Sequence, residues 1–203
     1  MNSSNSIDQA VWRFFIDNRV AWLNEPQVFL SDAFQPRWVT LMAVVLTVVI
    51  FLRSRRLDSA LRWARILYPA LTLIVAITIS SALKHLIGRE RPLEAARLVV
   101  ETNPSMPSGH AIAAFALATV LSVLTRSWWT VAAWIVAVLV AINRLYVGVH
   151  WLSDVLVGAS IGTAVALLMW QLLQRAARSQ TVRSQTARSQ TARRQTAAAQ
   201  PQR

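Results

Sequence analysis

The chain contains no cysteine, which excludes a disulfide framework, thiolate chemistry and any cysteine-ligated metal site. It is also poor in charge. Only 15% of its 203 residues are charged while 55% are hydrophobic, and the mean hydropathy is +0.41, a balance that excludes an ordinary soluble globular protein. Acids are the scarcer charge: nine Asp and Glu stand against 21 Lys and Arg, for a formal net charge of +12. Such an excess can signal nucleic-acid binding, so its location matters. Seven arginines and no acid lie between Arg175 and Arg203, so the preceding 174 residues carry only +5. This tail repeats the unit ArgSerGlnThr plus Val or Ala from Arg178, Arg183 and Arg188. No apolar face recurs in it, and residues 175–203 are expected to be disordered. The tail reads as a solvated topology determinant or as an adhesive for anionic phospholipid headgroups. No nucleic-acid partner is expected, because no aromatic platform or folded reader accompanies the arginines.

What remains is apolar. Charge-free runs extend over Trp38–Leu52, Ile66–Leu83, Ala111–Thr125, Trp128–Ile142 and Val155–Leu173. They predict an all-α, polytopic membrane helix bundle of about five transmembrane helices, with a core over residues 34–174. Several runs fall short of the roughly 20 residues a bilayer demands and must borrow flanking Trp, Phe and hydroxyl residues. Trp38, Trp63, Trp128, Trp129, Trp151 and Trp170 lie near the expected ends, where indole rings suit headgroup depth. Residues 1–33 mix Trp12, Phe14, Phe15, Ile16 and Trp22 with Arg13, Asp17 and Arg19, the pattern of an interfacial amphipathic helix rather than of a removable signal peptide. Pro26 and Pro36 are expected to bracket the turn into the first span. With five spans, thirteen basic residues, including the tail, fall on one side and eight on the other. The positive-inside rule then places the C-terminus in the cytoplasm of a multi-pass protein of the cell (inner) membrane.

The same parity gathers the unusual residues. Lys84 to Arg91 follows the second span, Ser108 to His110 precedes the third, Arg144 follows the fourth, and His150 to Asp154 precedes the fifth. All four clusters meet on the extracytoplasmic face, and ionisable groups at a membrane boundary are functional candidates by default. Lys84 and Arg91 are seven apart, so a helix running on from the second span puts both on one face, with Pro92 as its stop. With Arg144 they supply three permanent cations, suited to a dianionic phosphoryl group. Arg89 and Arg97 read as residues that snorkel to headgroups. Ser108 and Gly109 can present a hydroxyl and backbone N–H groups at a helix start, with His110 beside them. His150 and Asp154 share a helical face, so the carboxylate can hold one imidazole nitrogen protonated while the other meets substrate. A metal site at His110, His150 and Asp154 is disfavoured by the three neighbouring cations, and no cofactor is expected. His85 is expected to face away and to be structural.

These residues resemble the three signature motifs of the type 2 phosphatidic acid phosphatase family: LysHisLeuIleGlyArgGluArgPro at 84–92, ProSerGlyHis at 107–110, and Arg144 followed by His150 and Asp154. This family shares its site with vanadium-dependent haloperoxidases and bacterial non-specific acid phosphatases. Asn143 departs from the motif, where Ser usually precedes the Arg. The resemblance implies a metal-independent lipid phosphatase in which His150 attacks phosphorus, Asp154 supports it, and His110 protonates the leaving oxygen and then activates water. Lys84, Arg91, Ser108, Gly109 and Arg144 would hold the phosphoryl oxygens. The small size resembles that of bacterial polyprenyl-diphosphate phosphatases, with phosphatidate and phosphatidylglycerol phosphate as alternative substrates. The 93–106 loop, where headgroup selectivity would reside, carries no readable motif. From other classes, a transporter of anions or lipid phosphates would need no nucleophile, and a haloperoxidase would need bound vanadate.

Overall fold

The computed structural model describes residues 5–53, 59–125 and 127–198. Arg55, Arg56, Arg126 and Arg203, which the charge count includes, lie outside them. The described elements are helical: α1 (Ser6–Asp17), α2 (Ala21–Ala33), α3 (Pro36–Arg53), α4 (Ser59–Ile87), α5 (Gly109–Leu124), α6 (Trp129–Tyr146) and α7 (Leu152–Ala198), with a short 3-10 turn at Glu94–Ala96. Helices α3, α4, α6 and α7 are long and apolar enough to cross a membrane, while α5 has 16 residues. Leu41, Val44, Val45 and Val48 on α3 and Val131, Ile135 and Leu139 on α6 are exposed, as lipid-facing side chains must be where the solvent is hydrocarbon.

The short helix α5 is the hub. From His110 to Val120 nearly every residue is buried, packed by α4, α6, α7 and α3. A helix surrounded by protein meets neighbours rather than lipid along its length, so it can be shorter than a bilayer span. Small residues permit the close approach. A Cβ at Gly158 of α7 would come within 2.7 Å of the Ser108 carbonyl oxygen, and one at Gly162 would overlap the Ile112 carbonyl oxygen. Gly162→Ala is therefore expected to push α7 off α5 and destabilise the protein by about 1–3 kcal/mol. A lower midpoint of thermal unfolding in detergent is the readout, and an unchanged midpoint would contradict the packing.

Four expectations are corrected. Residues 5–33 do not make one continuous helix: α1 and α2 are separate, broken at Asn18–Val20, and both dock on the bundle. Pro26 lies inside α2 rather than in a turn, whereas Pro36 opens α3, where its fixed φ and missing N–H cost little. Helix α4 stops at Ile87 and does not carry Arg91: Gly88, at φ 59°, turns the chain in the left-handed region, its N–H donating to the Lys84 carbonyl at 3.0 Å. Finally, 175–198 is not irregular. Helix α7 runs on to Ala198, because Arg, Gln and Ala are adequate helix formers and the span has already supplied the costly nucleus.

Candidate active site

Lys84 lies in the last turn of α4, Arg91 follows that helix in the loop, Gly109 and His110 begin α5, Arg144 lies in the last turn of α6, and His150 precedes α7. The structure brings these elements to one end of the bundle. Lys84, Arg91, Glu101, Gly109, His110 and His150 line a cavity of about 530 Å³. His150 is 1% exposed and Asp154 and Arg144 are 0% exposed. Arg91 Nη1 lies 3.2 Å from His150 Nε2. Guanidinium has only donors, so Nε2 is the acceptor and carries a lone pair. The proton then sits on Nδ1, 3.4 Å from Asp154 Oδ2 and 3.5 Å from Ser105 Oγ. Burial, reinforced by Arg91, Arg144 and Lys84, holds the His150 pKa well below the usual 6.5, so the ring is neutral at physiological pH.

Asp154 is fixed from three sides. Its Oδ2 accepts from the Trp151 N–H at 2.9 Å and from the Ser105 hydroxyl, and its Oδ1 accepts from Arg89 Nη1 at 2.6 Å. Arg144 donates to Ser31 Oγ of α2 and, at 2.9 Å, to Glu101, whose other oxygen lies 3.6 Å from Arg91. Lys84 donates to Asn103 Oδ1 at 3.2 Å and to the Pro104 carbonyl. Arg91 donates to both Asn103 Oδ1 and the Asn103 carbonyl, at 2.6 and 2.7 Å. Against this saturation, Ser108 Oγ, His110 Nε2 and Arg144 Nε are buried with no protein partner. Buried polar atoms are rarely left unpaired, and these three, two from the second signature motif and one from the third, suit a ligand with several oxygens. Among the described residues, no three His, Asp or Glu side chains are disposed to hold a metal ion.

The family model described as the PAP2 superfamily matches residues 65–178, more than half of the chain. The chain belongs to that superfamily. It is 31% identical over 161 residues to an undecaprenyl-diphosphatase of Sulfolobus acidocaldarius, covering 76% of this chain and 73% of that one. It is 28% identical over 181 residues to phosphatidylglycerophosphatase B of Bacillus subtilis, covering 83% and 84%. The crystal structure of a transmembrane PAP2-type phosphatidylglycerolphosphate phosphatase from Bacillus subtilis superposes with a TM-score of 0.70 at 27% identity, covering 85% of this chain and 89% of that one. The chain is thus a multi-pass membrane protein with the PAP2 fold.

Within this PAP2 site several residues had no sequence signal. Glu101, Asn103 and Ser105 sit in the loop before the second motif and position the cations and Asp154, yet no periodicity marks them. Arg89 does not snorkel: it is 8% exposed and bridges Asp154 to Asp8 of α1, at 2.6 and 2.7 Å. Arg97 donates to the Pro92 carbonyl. Asn143 spends its amide donors on Gln27 of α2, both at 2.7 Å, and so does not replace the motif's Ser as a phosphate donor. His85 is exposed on the cavity wall. Gly148, at φ 79°, leaves room for Arg19, which donates to the Tyr146 and Ala96 carbonyls and ties the N-terminal segment to the loop carrying His150.

Proposed function

We propose that the chain, a membrane lipid phosphatase of the PAP2 type, removes the terminal phosphate of a polyprenyl diphosphate at the extracytoplasmic face of the membrane. The observation that carries the mechanism is the His150 ring, neutral, with its Nε2 lone pair on the side of Arg91 and its Nδ1 proton toward Asp154. In the first step Nε2 forms a bond to phosphorus as the bond to the leaving oxygen breaks, and His110 gives that oxygen its proton. The positive charge that develops on His150 is supported by Asp154. In the second step His110 takes a proton from water, the water oxygen bonds to phosphorus, and the phosphorus–nitrogen bond breaks. Lys84, Arg91 and Arg144, with Ser108 and the N-terminus of α5, hold the equatorial oxygens throughout. The products are inorganic phosphate and polyprenyl monophosphate.

The polyprenyl substrate is supported by the Sulfolobus relative. The Bacillus relative, matched over more of its length, favours phosphatidylglycerol phosphate as the second reading. The asymmetry of basic residues supports an extracytoplasmic site and a cytoplasmic C-terminus. The experiment is phosphate release by purified protein in detergent with EDTA, comparing a polyprenyl diphosphate, phosphatidate, phosphatidylglycerol phosphate and a soluble phosphomonoester. Fastest release from the diphosphate is expected. A faster rate on phosphatidylglycerol phosphate transfers the assignment to the second reading. No release from any, by folded protein that binds phosphate, would favour a transporter.

A further inference from the structure

The N-terminal helix α1 lies wholly outside the segment matched by the family model, residues 65–178, yet one of its carboxylates is as buried as the catalytic groups. Asp8 is 2% exposed. Its Oδ2 pairs with Arg89 Nη2 at 2.7 Å and accepts from Ser153 Oγ at 2.7 Å, while its Oδ1 accepts from the Ser153 N–H at 2.9 Å. The other arm of the same guanidinium, Nη1, reaches Asp154 Oδ1 at 2.6 Å and Ser153 Oγ at 2.6 Å. A continuous chain, Asp8, Arg89, Asp154, His150, therefore links α1 to the nucleophile. Apolar packing keeps it in register: Val11 and Phe15 of α1 cover Ala111, Leu145 and Val155, and Trp12 lies against Trp151, ring centroids 6.1 Å apart.

We infer that Asp8 is a positioning residue for the phosphatase reaction, which holds Arg89 and shares its charge so that Asp154 remains an effective anionic partner for His150. The inference rests on His150 being the nucleophile. Electrostatics gives the reason. A buried arginine paired with Asp154 alone would cancel the charge that Asp154 must offer as His150 becomes cationic. A second carboxylate on the far arm restores a net negative charge to the group. Burial acts to raise the Asp8 pKa, but the hydrogen bonds from Ser153 and Arg89 outweigh it and hold the carboxyl below its usual value, so this second charge is present at physiological pH. Of the other charged or titratable groups that face His150, Lys84 from α4, Arg91 from the loop and Arg144 from α6 are cationic, Glu101 from the loop is shared between Arg91 and Arg144, and His110 from α5 brings no negative charge. The negative charge beside the nucleophile therefore comes from the Asp8 and Asp154 pair.

The test is Asp8→Asn, which keeps the shape and an acceptor oxygen but removes the charge. Turnover and the rate of phosphohistidine formation are compared with wild type, together with the affinity for inorganic phosphate read by thermal shift. Turnover and phosphoenzyme formation are expected to fall by about ten- to a hundredfold, with phosphate affinity unchanged because Lys84, Arg91 and Arg144 are untouched. Wild-type turnover would overturn the inference. A parallel loss of phosphate affinity would also overturn it, by showing that α1 supports the whole site rather than the nucleophile. Should Asp8→Asn not fold, Ser153→Ala removes one hydroxyl from the same clamp, and the same two readouts apply with a smaller expected fall. If wild type itself releases no phosphate, it is the proposed function that fails; active wild type with an equally active Asp8→Asn refutes only the role of Asp8.

Discussion

His150→Ala is expected to lower turnover by about four orders of magnitude or more, because the phosphoryl group then has no nitrogen to move to and water must attack a lipid phosphate directly. The cavity of the variant keeps Lys84, Arg91 and Arg144, so phosphate affinity survives while chemistry stops. Asp154→Asn is expected to be milder: the nucleophile remains, but its Nδ1 proton and developing charge lose their anionic partner. The pH dependence has a definite sign. His150 binds its proton only well below the ordinary histidine value of 6.5, so kcat/KM should show no loss of this group on acidification through that value. The unfolded chain does take up a proton there. Unfolded protein thus holds more protons than folded protein in mildly acid solution, and stability contributed by His150 falls as pH drops below about 6.5. Near-wild-type turnover by His150→Ala, measured as phosphate release, would refute the mechanism.

His110→Ala is expected to cost about 10²–10⁴ in turnover on a lipid phosphate, the usual reach of a general acid and base. Its dependence on the leaving group separates His110 from a purely structural residue. An aryl phosphate with an acidic phenol leaves without a proton, so the first step is largely spared in the variant, while the second still lacks its base. Phosphoenzyme should therefore accumulate with the aryl substrate and not with the lipid. The unpaired, buried Nε2 of His110 at the start of α5 is placed for both duties. Equal losses on both substrates with no accumulation would mean that His110 merely shapes the α5 terminus.

The side chains of the candidate site were legible because a membrane chain is so poor in charge. Lys84, Arg91, Arg144, His150 and Asp154 stand out against apolar runs, and the parity of those runs gathers them at one end of the bundle, where the structure has them. The route by which Arg91 arrives was misread: Gly88 behind Ile87 is a helix-ending signal of positive φ, and the loop beyond it, not a helical face, delivers the guanidinium. The partner of Arg89 was not legible at all. Asp8 lies 81 residues away, and no local spacing connects a carboxylate in an amphipathic N-terminal helix with a motif arginine. The same holds for Ser31 on Arg144 and Gln27 on Asn143, contacts made by tertiary docking of α2. Tail composition suggested disorder because it lacks an apolar face, but helix continuation from a preformed span needs only propensity.

The most direct test is to locate the covalent intermediate. Wild-type protein mixed with a lipid phosphate labelled in its terminal phosphoryl group, quenched within the first turnover and digested, should yield one labelled peptide. The label should be stable to base, labile to acid and borne by His150. Label on any other residue, or steady release of labelled phosphate with no labelled protein at any quench time, would contradict the account.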